Sequence, residues 1–218
     1  KIVVAPVLYM VKDGMKEALE NFVKNGGILI TTFMSGIVGQ SDNVYLGGYP
    51  GPLREMAGVW VEEIDALAPE QKNKAKFADG SIAACGLLCD LMHLEGAKAL
   101  ASYEEDFYAG MPAASKNTYG KGTTYYIATQ FEEEGLAKIL DQAVQEAGVS
   151  SVIPEETGLE VVTRVSDTTR FYFVMNFTDE EQILPESLTG KKDMISQKMT
   201  EHGMKLKKWD VLLLEEHL

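Results

Sequence analysis

The sequence is poor in cysteine, tryptophan and histidine, with two, two and three residues among 218. Two cysteines cannot build a disulfide scaffold, and such sparing use fits a reducing compartment, so a cytoplasmic setting is expected. Of the three histidines only His93 lies before His202 and His217, which leaves little material for a histidine-based triad. Basic residues are also scarce: Lys and Arg total 20 against 33 Asp and Glu, a formal charge of −13. Nucleic acid and anionic membrane surfaces are thereby excluded as partners, because both require clustered cations. The deficit is diffuse, −8 over residues 1–153 and −5 over 154–218. It bears on solubility and not on fold. No apolar run approaches the roughly 18 residues that span a bilayer. Ile2 to Val7 is too short and too β-branched for a signal-peptide core, and Ala5-Pro6 interrupts it. Nucleotide loops of the G-x-G-x-x-G or P-loop type are missing, as are the nucleophile turns G-x-C-x-G and G-x-S-x-G.

What is present reads first as a βαβ unit. Ile2-Val3-Val4-Ala5-Pro6-Val7-Leu8-Tyr9 is a continuous apolar strand, the pattern of a strand buried on both faces of a parallel sheet. Asp13 stands where an N-cap belongs, and Met15, Ala18, Leu19, Phe22 and Val23 form one apolar helical stripe. Gly26-Gly27 stops that helix, and Ile28 to Phe33 is a second buried strand. Met34 to Gly58 is a long loop, with Pro52 opening a short helix through Met56. Val59-Trp60-Val61 and Lys98 to Tyr103 read as strands, residues 66–80 as polar and irregular, and Ile82 to Leu94 as mostly apolar. Ala113 to Tyr119, Gly120-Lys121-Gly122 and Thr123 to Ala128 give a hairpin. A helix opens at Glu132-Glu133-Glu134, carries Leu136, Ile139, Leu140, Ala143 and Ala147 on one stripe, and ends at Gly148.

Beyond Val152 to Thr157 the character changes to short strands: Leu159 to Val165, Arg170 to Asn176, Glu181 to Leu184, Met194-Ile195 and Val211 to Leu214. The expected organisation is an α/β domain over 1–153 and a small antiparallel β-sandwich over 154–218.

Candidate chemistry is thin. Cys85, Cys89 and His93 share a face in either a helix or a strand, so a thiolate–imidazole metal site is conceivable; burial as core residues competes with it. Cys85-Gly86 lacks the flanks of a nucleophile turn. The acid runs Glu62-Glu63, Glu104-Glu105-Asp106, Glu132 to Glu134 and Glu155-Glu156 suit solvated surface or helix starts better than a catalytic pair. Gly47 to Pro52 is a glycine-rich loop whose alternative to a plain turn is an interface, with Tyr45, Leu46, Tyr49 and Pro50 as apolar anchors. Trp209, Tyr172 and Phe171 are stacking candidates for a glycan, with core packing as the competing role. Asn176-Phe177-Thr178 fits a glycosylation acceptor triplet. No cofactor is expected.

Longer strings carry a resemblance. Lys1 to Met10, Phe22-Val23 through Gly26-Gly27, Thr31-Thr32 and Ser35 to Val38 resemble glycoside hydrolase family 42 β-galactosidases. Leu46 to Glu55, Gly58 to Glu63, Cys89 to Leu91, Leu94 to Ala97, Tyr103 to Gly110, Asn117 to Gly122 and Tyr125 to Thr129 extend it in one order. The resemblance implies a retaining β-galactosidase built of a catalytic (β/α)8 barrel with two glutamates, a middle amidotransferase-like (flavodoxin-like) domain and a C-terminal β-sandwich. The middle domain would mediate a homotrimer, one subunit's middle domain shaping another's active-site entrance. This chain resembles that middle domain, joined part-way in without its first βα element, together with the last domain. The chain opens on Lys1 and reads as a piece of a bacterial enzyme. On this reading neither catalytic glutamate nor the barrel's metal site has a counterpart here, and the galactoside is bound by the barrel. The expected fold is a mostly parallel sheet with helices on both faces, followed by the sandwich. The competing readings are a free-standing amidotransferase-like enzyme or sugar-responsive protein, and a sugar-binding module.

Overall fold

Ile28, Leu29 and Ile30 are apolar in succession, and because successive strand side chains point to opposite faces, such a strand needs cover on both. A computed structural model, describing all residues from Lys1 to Leu218, shows how the cover is supplied. The chain divides into two compact units, Lys1–Val149 and Ser150–Leu218, four residues before the division read from the sequence.

The first unit runs β1 (Ile2–Ala5), β2 (Met10–Val11), α1 (Met15–Lys24), β3 (Ile28–Thr32), β4 (Val38–Gly39), α2 (Arg54–Ala57) and β5 (Val59–Ala66). It continues with β6 (Asn73–Phe77), β7 (Ile82–Leu94), β8 (Lys98–Tyr103), β9 (Pro112–Tyr119), β10 (Gly122–Ile127), β11 (Thr129–Phe131) and α3 (Glu133–Glu146). Nine strands form one sheet in the order β1-β3-β10-β9-β8-β6-β7-β11, with β5 also on β7. The expected mostly parallel sheet is corrected here. Only β1–β3 and β3–β10 pair in parallel, and every other pairing in the sheet is antiparallel. The misreading has a simple cause: continuous apolar runs report burial on both faces, and a covered antiparallel strand meets the same condition.

Helices do cover both faces. Met15, Leu19, Phe22 and Val23 of α1 pack with Leu29, whereas Ile139 and Ala143 of α3 pack with Ile28 and Ile30. Gly14, at φ 78°, is the N-cap of α1 with no side-chain bond, so Asp13 does not serve as its cap. On α3 the buried face is Gly135, Ile139 and Ala143, while Leu136 turns outward.

The second unit holds β12 (Glu160–Val165), β13 (Thr169–Met175), β14 (Gln182–Ile183), β15 (Lys192–Asp193), β16 (Lys205–Leu206) and β17 (Val211–His217). A four-stranded antiparallel sheet, β12-β13-β17-β15, accompanies a two-stranded one, β14-β16. Tyr172, Val174, Leu212 and Leu214 from the larger sheet share a core with Leu184, Leu188 and Leu206. The strand expected at Met194-Ile195 lies two residues earlier, because the Asp193 carboxylate accepts from the backbone N–H groups of Ile195 and Ser196 and turns the chain there.

Candidate interface loop

The loop between β3 and β5 is built by backbone bonds that a polar, glycine-rich segment can make. The buried hydroxyl of Ser35 takes hydrogen bonds from Leu8 N, at 3.0 Å, and from the Thr31 hydroxyl, at 2.8 Å. Met10 and Val11 of β2 then pair in parallel with Val38 and Gly39 of β4. The Tyr45 hydroxyl donates to Val11 O at 3.2 Å, and Tyr49 exchanges backbone bonds with Val61 of β5. Glycines are tightly confined here. A Cβ on Gly36 would lie 2.3 Å from Pro50 O, and one on Gly48 would lie 1.9 Å from Trp60 Nε1.

A polar clamp secures the tip. Arg54 donates Nε and Nη2 to the two carboxylate oxygens of Glu95 at 2.6 and 2.5 Å, and Nη1 to Gly47 O at 3.1 Å. That fork matches a planar carboxylate and holds Glu95 below its ordinary pKa. Trp60 Nε1 also donates to Gly47 O, at 3.0 Å. The Trp60 ring stacks on His93 at 4.9 Å between centroids, with the Arg54 guanidinium 5.6 Å from its ring. Tyr45 and Tyr49 are half-buried and Pro50 is buried, so three of the four expected anchors hold the loop together. Leu46 is 95% exposed at the tip, and Val44 beside it is also exposed. A rigid loop thus presents apolar side chains to solvent. Sequence reasoning missed Arg54, Trp60 and Glu95, which come together only through a contact 41 residues apart.

The metal and nucleophile candidates do not assemble. Cys85 and Cys89 are fully buried in the core below α3, and Cys89 Sγ lies 3.5 Å from the Thr129 hydroxyl. Burial pushes the Cys85 thiol up to about 12, the reverse of what a nucleophile needs. His93 is exposed at the other end of β7, its Nε2 2.8 Å from Glu62 Oε2. A register shift between Val61 and Glu63 sets that edge of the strand. No three His, Cys, Asp or Glu side chains are placed to hold a metal. Most acids of the runs face solvent, and two of them are in ion pairs with lysine, Glu105 with Lys74 and Glu132 with Lys72. In the second unit Tyr172 is core and Trp209 is exposed, while Asn176 is fully buried with its amide engaged, so it offers no glycosylation acceptor.

Comparison with known proteins decides what this arrangement belongs to. The family described as the β-galactosidase trimerisation domain of glycoside hydrolase family 42 matches residues 1–150, and that family's β-galactosidase C-terminal domain matches residues 158–216. The chain belongs to glycoside hydrolase family 42. A family 42 relative, the β-galactosidase LacA of Lactobacillus acidophilus, is 47% identical over 98% of this chain and 32% of its own length. BgaA of Planococcus is 41% identical over 98% and 32%. Among solved family structures, the β-galactosidase of Bacillus circulans sp. alkalophilus superposes with a TM-score of 0.89 at 38% identity, covering 99% of this chain and 33% of that one. The cold-adapted β-galactosidase from Rahnella gives 0.84 at 33% identity, over 100% and 32%. The chain therefore spans about a third of the length of the family 42 relatives it matches. Within the family's own division the clamped loop lies in the trimerisation domain.

Proposed function

We propose that this chain is the non-catalytic assembly and C-terminal region of a bacterial family 42 β-galactosidase, an enzyme hydrolysing terminal β-D-galactosides. The first unit serves formation of a homotrimer, and the second is an accessory β domain with a sandwich core. The galactoside is bound and cleaved in a barrel outside these residues. An amidotransferase-like ancestry for the first unit belongs to the same reading, supported by the β1–α1–β3 parallel crossover. A cytoplasmic setting is supported by two buried free thiols, Cys85 and Cys89.

The observation that carries the assembly role is the match to a trimerisation domain over residues 1–150, together with a clamped loop that holds Leu46 in solvent. The non-catalytic assignment rests on the chain's spanning about a third of the length of the β-galactosidases it matches. A retaining glycosidase places two carboxyls about 5–5.5 Å apart where a sugar can reach them. The deeply buried acids here are Asp90 and Asp193, in different units, and both are sealed from solvent. Asp193 is held below its ordinary pKa: burial pushes it up, and bonds from Ser196, Ile195 and Leu213 outweigh that.

Sedimentation velocity on the 218-residue chain tests the assembly role. Concentration-dependent association to a trimer is expected, and Leu46→Asp is expected to weaken it at least tenfold with thermal stability unchanged, since the side chain touches little in one copy. A chain that stays monomeric at every concentration, or a variant that associates like the parent, overturns the loop's role. Turnover of a chromogenic β-galactoside by the chain alone would overturn the non-catalytic assignment.

A further inference from the structure

Two loops of the second unit hold aromatic side chains side by side in solvent. Phe177 follows β13, and Trp209 precedes β17; their rings meet edge to face with centroids 5.8 Å apart. Phe177 is 51% exposed and Trp209 64%. Both loops hang on Asn176, which is fully buried. Its Nδ2 donates to Leu206 O at 2.9 Å and Glu180 O at 2.8 Å, and its Oδ1 accepts from Thr178 N at 2.9 Å and the Thr178 hydroxyl at 2.7 Å. Its own backbone N–H donates to Asp210 O and its carbonyl accepts from Trp209 N, tying one loop to the other. Lys207 N donates to Asp210 Oδ2 at 2.7 Å and closes the second loop. Trp209 sits at φ 70°, a left-handed conformation that a bulky residue adopts only where its surroundings impose it. The aromatic pair is therefore fixed outward before any ligand arrives.

Charges rim the pair. Lys208 Nζ lies 5.1 Å from the Trp209 ring centroid and pairs with the Asp179 carboxylate, and Glu180 and Asp210 are exposed on the same two loops. We propose that Phe177 and Trp209 form a stacking subsite for a hexopyranose, a β-galactopyranosyl unit being the ring it fits. A pyranose has an apolar C–H face and a rim of hydroxyls. The face packs on the indole, and the hydroxyls meet the carboxylates of Asp179 and Asp210 and the Lys208 ammonium. Galactose suits this because its axial O4 leaves the C3, C4 and C5 hydrogens on one uninterrupted face. Carboxylate acceptors and an ammonium donor around an apolar pair match a ring whose rim is all hydroxyl. Tyr172, in the core, has no part in the subsite, and Phe177 takes its place beside Trp209. The proposal is independent of the assembly reading.

Titration of the 218-residue chain with methyl β-D-galactopyranoside, followed by the indole N–H signals in NMR, tests it. The chain has two tryptophans, and Trp209→Ala assigns the two signals. The Trp209 signal is expected to move saturably, with a dissociation constant in the millimolar range usual for a small polar ligand on an open surface. The Trp60 signal stays still. Phe177→Ala weakens binding several-fold with the circular dichroism unchanged. No shift up to the solubility of the sugar, or a shift undiminished in Phe177→Ala, overturns the subsite. A sugar-independent, concentration-dependent broadening of the Trp209 signal would instead mark a contact between copies and overturn it equally.

Discussion

Asp90 is 1% exposed on β7, among apolar side chains, with no cation beside it. Its Oδ2 accepts from the Tyr126 hydroxyl at 2.6 Å, and Oδ1 has no donor. Burial pushes its carboxyl up to about 7, the Tyr126 bond opposing only in part. The sign of the consequence follows from proton counting. Between the ordinary carboxylate pKa and about 7 the folded chain binds a proton that the unfolded chain has lost. Stability contributed at Asp90 is therefore complete in acid, falls as pH rises through that window, and levels off above it. The rise to about 7 sets an upper bound of about 4 kcal/mol on the change. Asp90→Asn, whose amide oxygen still accepts from Tyr126, removes the titration. Urea unfolding at a series of pH values is expected to show the parent losing stability from pH 4 to 7 relative to the variant. Parallel profiles would mean that Asp90 is ionised throughout.

At the scale of elements, Gly47 and Gly48 offer an internal comparison. Both hold positive φ, 98° and 92°, so an alanine at either is strained in its backbone. A Cβ on Gly47 meets open space, whereas one on Gly48 falls against Trp60 Nε1 and lies 3.0 Å from Val61 O. Gly47→Ala is expected to cost about 1 kcal/mol and Gly48→Ala about 2–3 kcal/mol, the excess measuring how firmly the Trp60 ring is held. Equal melting temperatures in calorimetry would show that the ring gives way freely. Such contacts are not written in local sequence, whereas much else is. The stripe of α1 and the stop at Gly26-Gly27 are legible because helix period and glycine's left-handed freedom are local properties. The hairpin of β9 and β10 is legible from Gly120-Lys121 for the same reason. Strand β6 is missed because Lys74 and Lys76 alternate with buried Asn73 and Ala75, which looks polar until Asn73 Nδ2 is seen donating to Glu105 O. Strand direction is missed as well, since a residue's burial does not depend on which way its neighbour runs. At the candidate loop the segment is legible from its glycines, but not the inward turn of Tyr45, Tyr49 and Pro50, which Val11, Val61 and Gly36 impose from other elements.

The 218-residue chain carries −13, and the proposed assembly of identical chains would bring that charge together. Two terms then compete. Burying Leu46 and its exposed neighbours is a short-range apolar gain that salt scarcely weakens. Repulsion between chains is long-range and screened, with a Debye length of about 30 Å at 0.01 M salt and about 8 Å at 0.15 M. Beside the loop, Arg54 with Glu95 and Glu62 with His93 are already paired within one chain, so they need no partner to be satisfied. Added salt should therefore strengthen association, opposite to the behaviour of an interface held by ion pairs between copies. Sedimentation at rising NaCl is expected to shift the trimer–monomer balance toward trimer, most steeply below about 0.1 M, where the screening length is changing fastest relative to the size of the unit. Leu46→Asp adds one more negative charge at the contact, so whatever association it retains should be the more salt-dependent of the two. A balance that moves toward monomer with salt would place charged contacts, and not the Leu46 loop, at the centre of the assembly.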